Sequence, residues 1–597
     1  MIELRRPLVV AFGLTVLILA LLTACDLAAS TPQATAPASA TAEALAATAV
    51  TAAASVAPVA SVAPTPTVEP TPAVPQGGAL TIRLAADVPE LKPWDLRSRG
   101  EEHVADLIYN GLTELDAQLQ PQPDLAQDWT TSADGRLITF TLRSNLVWHD
   151  GEPLTSADVA WTLNMLRTIT ATNALLADLQ STIADAGAPL PETVVVSLTR
   201  PYAPLLAELA VPILPRHRLA DRTPEQIAAL NFWDEPVGSG PFKLDRRQPD
   251  QSIAFVRNNA YFGGVPNLDQ VALVIAPDPA VAATALQKQQ LLVAEFPQTT
   301  AALSATVEPA PLQRGAYPEN GWYGLAFNTR PERIFADQRL REALARAVDV
   351  EALVQTVTNG AGLPITTILS RASGMYPADL GIRPPDPDAA RRLLDEAGWT
   401  LGANGVRQKA GRPLSSRIWV RGDDARRVAA AQRIAEAAGA IGMQLEVVPA
   451  NFNTVILPKL APPYDFDLLL GSWINAPNSQ SFPTNRFYDP DNWALFHSAN
   501  VWGGQGDART GLRNVTGFAN GDYDSAADAA RRAYAPAERK QAIQSAQTVL
   551  ARELPYLLLW TDQVGVVINE RVASEDGPLP LYTPRYLWNV EQWYLQP

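Results

Sequence analysis

The stretch Trp148-His149-Asp150-Gly151-Glu152-Pro153-Leu154-Thr155-Ser156-Ala157-Asp158-Val159 decides how the folded part of this chain is read. Its segment Thr155-Ser156-Ala157-Asp158 predicts a capping box, with Asp158 in the place of the usual Glu or Gln. The helix it opens carries Val159, Leu163 and Leu166 on one face. Just upstream, Asp134-Gly135 marks a turn into Leu137-Ile138-Thr139-Phe140-Thr141-Leu142. Strict alternation there predicts a half-buried hairpin strand. Strand, loop and capped helix follow one another within a few dozen residues.

The same mixture continues on both sides. Ala79-Leu80-Thr81-Ile82-Arg83-Leu84 alternates like a first strand, and Glu101 to Tyr109 reads as a helix stopped by Asn110-Gly111. Val194 to Leu198 and Gly324 to Thr329 read as strands. Gly238-Ser239-Gly240 reads as a tight turn in which glycine permits positive φ. It has no Lys-Ser/Thr and no following helix, so it is not a phosphate-binding loop. Asp337 is a predicted N-cap for a helix with the apolar stripe Leu340, Ala343, Leu344, Ala347 and Val348. Asp386-Pro387 opens another helix that ends at Gly398, and a longer one runs from about Asp424 to Gly442. The strand Gln444 to Val448, a helix from about Pro536 to Leu550 and the apolar run Tyr556 to Trp560 complete the pattern. Helices and strands mix throughout, which means α/β or α+β.

The N-terminus has a different character. Arg5 and Arg6 precede an apolar run from Leu8 to Leu22, followed by Thr23-Ala24-Cys25. The run is about 15 residues, shorter than the roughly 20 of a spanning helix, and has the layout of a secretory signal. Cys25 is the only cysteine of 597 residues, and its setting resembles a bacterial lipobox in which the thiol is acylated. Export with attachment to a membrane through Cys25 is expected, and no disulfide can form. Residues 26–77 are almost wholly Ala, Thr, Pro, Ser and Val, a stalk unable to bury a core. The formal charge of −15 argues against a nucleic-acid partner, whose phosphates call for a basic surface.

Several segments together resemble the extracellular solute-binding proteins of peptide/nickel-type ABC importers (family 5). They are Leu107 to Leu112, Pro121 to Trp129, Trp148 to Val159, Gly238 to Phe242 and Arg257 to Phe262. Further on come Ala326 to Thr329 with the helix Arg339 to Asp349, then Asp388 to Trp399 and Tyr464 to Asp467. The resemblance implies an α/β, periplasmic-binding-protein-like fold with two lobes, an additional third domain, and mixed sheets flanked by helices. The implied organisation is residues 1–25 as signal peptide and lipobox, 26–77 as stalk, and 78–100, 200–328 and 564–597 as a discontinuous first lobe. The extra domain would be 101–199 and the second lobe 329–563, with crossings near Asn328 and Asp562. The implied function is capture of a peptide or other small solute between the lobes and delivery to permease subunits, with no catalysis and no cofactor. A monomer is expected.

A solute cleft needs a few fixed polar groups and aromatic walls. Trp473 follows the strand-like Leu468-Leu469-Leu470 and leads into Ile474-Asn475-Ala476-Pro477-Asn478. In the family this post-strand tryptophan lines the cleft, and peptide-binding members commonly place an aspartate just after it to hold the peptide amine. Here Asn475 and Asn478 stand in that stretch and no acid does. A protonated amine would lose a charge-assisted partner of about 1.5–3 kcal/mol, whereas an oligosaccharide suits tryptophan faces and asparagine amides. Trp94, Trp322, Tyr323, Phe452, Lys459 and Trp560 are further cleft candidates by position. His103, His149, His217 and His497 show no metal-ligand spacing, so no metal site is expected, and His149 reads as structural. An anchored hydrolase is the rival class, but the sequence has no Gly-x-Ser-x-Gly elbow, and Asp423-Asp424 reads as a helix start.

Overall fold

The computed structural model describes residues 74–170, 174–234, 236–297, 311–474, 488, 490–501 and 514–597. The signal, Cys25 and most of the stalk lie outside them, as do Asn475 and Asn478. Among the described residues no helix is long and apolar enough to cross a membrane.

The capping box is formed as predicted. Thr155 caps the helix Ser156–Leu166, and the Asp158 carboxylate accepts from the Thr155 backbone N–H at 2.9 Å. That helix packs on a four-stranded antiparallel sheet in the order Ala126–Thr131, Leu137–Leu142, Thr193–Leu198, Ile183–Leu190. His149 ties this region to the glycine turn. Its Nε2 lies 3.0 Å from the Gly240 carbonyl, and Lys243 Nζ donates to the His149 carbonyl at 2.8 Å. The turn itself corrects one expectation, because neither Gly238 nor Gly240 has positive φ. Glycine is required there by proximity. A Cβ on Gly238 would lie 2.0 Å from the Ile108 carbonyl oxygen, and one on Gly240 would lie 2.5 Å from that of Leu107.

The main sheet has twelve strands and is organised around Tyr556–Asn569, a single strand of 14 residues. Its first part pairs with Gly321–Phe327 and its second with Val293–Pro297 and Leu312–Pro318. On the first side the order continues through Gln444–Ala450, Ser415–Arg421 and Leu468–Ile474 to reach Gly321–Phe327. On the other side Ala79–Leu84, Gln270–Ile275, Ser252–Arg257 and Phe242–Gln248 follow. Parallel pairs (Ser415–Arg421 with both Gln444–Ala450 and Leu468–Ile474) sit beside antiparallel ones, so the sheet is mixed. Helices cover it, and the α/β class holds.

The apolar side chains segregate into separate cores. One gathers Leu80, Ile82, Phe140, Phe242, Phe255, Val564 and Trp593. A second gathers Leu325, Leu344, Leu394, Ile418, Ile434, Leu470 and Trp560 on one face of the remaining strands, and a third gathers Trp322, Leu469, Trp473, Phe496, Tyr523 and Tyr556 on the other. Leu468-Leu469-Leu470 is an unbroken apolar run because its alternate residues enter different cores, as in a strand covered on both faces. Residues Pro72–Pro597 nevertheless make one compact unit.

Candidate functional site

Ser415–Arg421, Gln444–Ala450 and Leu468–Ile474 run parallel, so their carboxyl ends lie along one edge. Such an edge is where open α/β sheets receive ligands. Gly321–Phe327 runs the other way and begins there, with Trp322 opposite Trp473 and Tyr323 opposite Ser472. The helix Ala425–Ala440 starts there too, because Asp424 caps it by accepting from the backbone N–H groups of Arg426 and Arg427.

Pleating sends the paired aromatics to opposite faces. On one, Trp322 and Trp473 stack with centroids 4.9 Å apart, and Tyr556 meets both edge-on at 5.1 and 4.7 Å. On the other, Tyr323 stacks on Trp560 at 4.4 Å with planes 10° apart. The Arg426 and Arg427 guanidiniums stand 5.5 and 5.0 Å from the Tyr323 ring.

Asp562 is 2 % exposed and is the electrostatic centre of this face. It accepts from Arg426 Nη1 at 2.8 Å and Nη2 at 3.1 Å, from the Tyr323 hydroxyl at 3.0 Å, and from Trp560 Nε1 at 3.2 Å. Burial and the neighbouring Asp562 charge push the Tyr323 phenol up to about 12. Arg427 donates to the Ser472 hydroxyl at 3.0 Å and pairs with Asp424 at 2.9 Å. Further along, Arg99 pairs with Glu295 at 3.1 Å and Glu319 at 3.5 Å. Burial raises the Glu319 carboxyl; Arg99 works against the rise, and Asp562 adds to it. The edge therefore gathers stacked aromatic rings, with Trp473 only 9 % exposed, beside arginines already matched by carboxylates.

Of the expected residues, Trp322, Tyr323, Trp473 and Trp560 come together at this edge. Trp322 and Trp560 have almost no exposed surface, so they back the edge. Phe452 follows Gln444–Ala450 at the same edge, with the Arg421 guanidinium 5.7 Å from its ring. Trp94 is elsewhere, buried edge-on against Phe232 in the first core. Lys459 pairs with Asp465 at 3.1 Å and lies 4.2 Å from the Trp419 ring. Asp465 and Trp419 both border a polar recess of about 440 Å³ at the amino ends of the strands. Sequence reasoning missed Arg426, Arg427 and the role of Asp562. The available signal was two arginines in the first turn of a helix, where the macrodipole disfavours cations. Asp423-Asp424 starts a helix, as expected. Among the described residues no cluster of three or more His, Cys, Asp or Glu could hold a metal.

Comparison with known proteins agrees with this architecture. The family model described as "Bacterial extracellular solute-binding proteins, family 5 Middle" matches residues 120–494. Protein XP55 of Streptomyces lividans is 32% identical over 463 residues, 76% of this chain and 78% of that protein. The nickel-binding periplasmic protein of Escherichia coli is 29% identical over 364 residues, 58% of this chain and 66% of that protein. The oligopeptide-binding protein AppA of Bacillus subtilis is 24% identical over 508 residues, 82% of this chain and 87% of that protein. Its structure with a nonapeptide superposes with a TM-score of 0.62 at 23% identity, covering 88% of this chain and 100% of that one.

Proposed function

Because this chain belongs to the bacterial extracellular solute-binding proteins of family 5, we propose that it receives a peptide or other small solute for an ABC importer and hands it to the permease unchanged. The solute lies against the carboxyl-terminal strand edge, with Trp473 as its main aromatic contact. The observation that carries this reading is the shared strand Tyr556–Asn569. It joins two differently cored half-sheets, and its midpoint Asp562 ties into the helix that opens at the strand edge. That geometry supports two lobes with limits near those implied by the sequence, hinged beside the edge and closing over bound solute. Acylated Cys25 holds the protein at the outer face of the membrane.

A second reading, an oligosaccharide as solute, is favoured by Asn475, Ala476 and Asn478 standing where an amine-pairing acid would be needed. Arg426 and Arg427 already have carboxylate partners, which also suits an uncharged ligand.

The test is mass spectrometry of small molecules released from gently purified protein, followed by calorimetric titration of the species found. Saturable binding is expected, with Trp473→Ala weakening it at least about tenfold, as for an aromatic anchor. Recovery of the ligand chemically altered, or binding indifferent to W473A, would overturn the reading. A recovered peptide decides against the oligosaccharide.

A further inference from the structure

Away from the chain crossings, a second set of contacts bridges the parts that the two-lobe reading separates. Tyr534 follows the helix Gly521–Arg532 of the second part, yet its ring packs against the first core. Its hydroxyl donates to the Gly135 carbonyl at 2.9 Å and accepts from the Tyr202 N–H at 3.0 Å. Burial raises the Tyr534 phenol above its ordinary value, so it stays protonated and able to donate. Just before it in sequence, the Arg531 carbonyl accepts from the Ala203 N–H at 2.7 Å. The Arg531 guanidinium stands 4.6 Å from the Trp493 ring and 5.2 Å from the Tyr202 ring, and donates to buried Asp491 at 3.2 Å. Another bond, from the Gly374 N–H to the Gln118 carbonyl at 3.0 Å, joins the same two parts. Near these residues in sequence, Leu119 and Ala372 share a small buried core with Leu115, Ala207 and Tyr488. The bridging groups belong to turns, loops and a helix end, not to strand ladders, so releasing them leaves both half-sheets intact. Tyr523, Ala527 and Arg531 recur at helical spacing. The first two sit in the third core with Trp322 and Trp473, so one helix runs from the tryptophan pair to the bridging contacts.

We propose that Tyr534 is the central member of a clasp between the lobes, and that its two hydrogen bonds to Gly135 and Tyr202 set how often the lobes part. The proposal rests on the two-lobe reading above and assigns its closed state a latch of its own, independent of any solute contact. A few neutral hydrogen bonds between loops shift a two-state balance by factors of about ten, a range that solute binding can outweigh. A looser clasp lowers the share of closed molecules and weakens solute binding by the same factor.

Amide hydrogen exchange of the full chain, resolved to single residues by fragmentation mass spectrometry, tests this in native protein and in Tyr534→Phe. The variant keeps the ring and removes only the hydroxyl. The Tyr202 N–H loses its partner directly and is not informative. The Ala203 and Gly374 N–H groups keep their carbonyl partners across the junction, so faster exchange there reads parting of the two sides. About tenfold faster exchange is expected at both. The amides of Leu273 and Leu470, inside the two half-sheets, should be unchanged. Unchanged exchange at Ala203 and Gly374 overturns the proposal, because the hydroxyl then holds nothing together. Acceleration at Ala203 alone is local fraying and overturns it too. So does equal acceleration at all four amides, which is general loss of stability. No solute enters this experiment. If it fails while the titration described above shows saturable binding dependent on Trp473, only the clasp is lost and the solute-binding reading stands.

Discussion

Breaking the Arg426–Asp562 pair is the sharpest probe of the junction. Asp562 has four donors within 3.2 Å and almost no solvent. Asp562→Asn keeps the shape but puts a donating NH2 where one carboxylate oxygen accepts from two donors, and it leaves the guanidinium without its counter-charge. Removing one member of a buried ion pair costs about 3–5 kcal/mol. A quarter of the Arg426 side chain remains exposed, at 26%, and solvent there screens the loss. The expected destabilisation by D562N is therefore about 2–3 kcal/mol. Arg426→Gln strands a carboxylate with less access to water and should cost at least as much, about 3 kcal/mol. The double variant removes both charges together. Its loss should fall short of the sum of the singles by about 1.5–3 kcal/mol, the coupling of two groups in direct contact. Urea unfolding of the four proteins, followed by tryptophan fluorescence, measures all four corners of the cycle. Singles that add to within about 0.5 kcal/mol would mean the two groups do not interact, and the account of the junction would be wrong.

Three other outcomes are expected. Gly238→Ala places a methyl 2.0 Å from a backbone oxygen, which no side-chain shift relieves, and should lower stability by about 3 kcal/mol or more; Gly381→Ala, with nothing within 4 Å, should stay within about 0.5 kcal/mol in the same melting experiment. Burial, aided by Lys243 and opposed by the Gly240 carbonyl, lowers the His149 imidazole to about 4. Its folded-state value lies below the unfolded one, so its contribution is present above about pH 6.5 and lost as pH falls toward about 4. The stability difference between native protein and His149→Gln should shrink by about 2–3 kcal/mol across that window, and a constant difference would sink the assignment. Cys25→Ser should move the protein from the membrane fraction to the soluble fraction on cell fractionation; retention in the membrane would show that the anchor lies elsewhere.

Local signals carried much of the fold. The capping box at Thr155, the N-caps at Asp337, Asp386 and Asp424, and the alternation at Leu137–Leu142 are short-range patterns, and the structure forms each of them. The role of Gly238 and Gly240 was not legible, because it depends on the Ile108 and Leu107 carbonyls more than a hundred residues away. The candidate edge was half legible. Trp473 and Trp322 announce themselves as large aromatics beside strands, but nothing local distinguishes them from Trp94, which packs in the first core.

By itself the sequence determined the acidic character of the chain, its single cysteine, its mixed helices and strands, and its family. These properties rest on composition and on contacts between near neighbours. Only the tertiary structure decided that one strand serves both half-sheets, and that Asp562, Tyr323 and Arg426 converge from three distant segments. Sheet register and long-range packing set those positions, and no pattern along the chain encodes which carboxylate will meet which cation once the strands have paired.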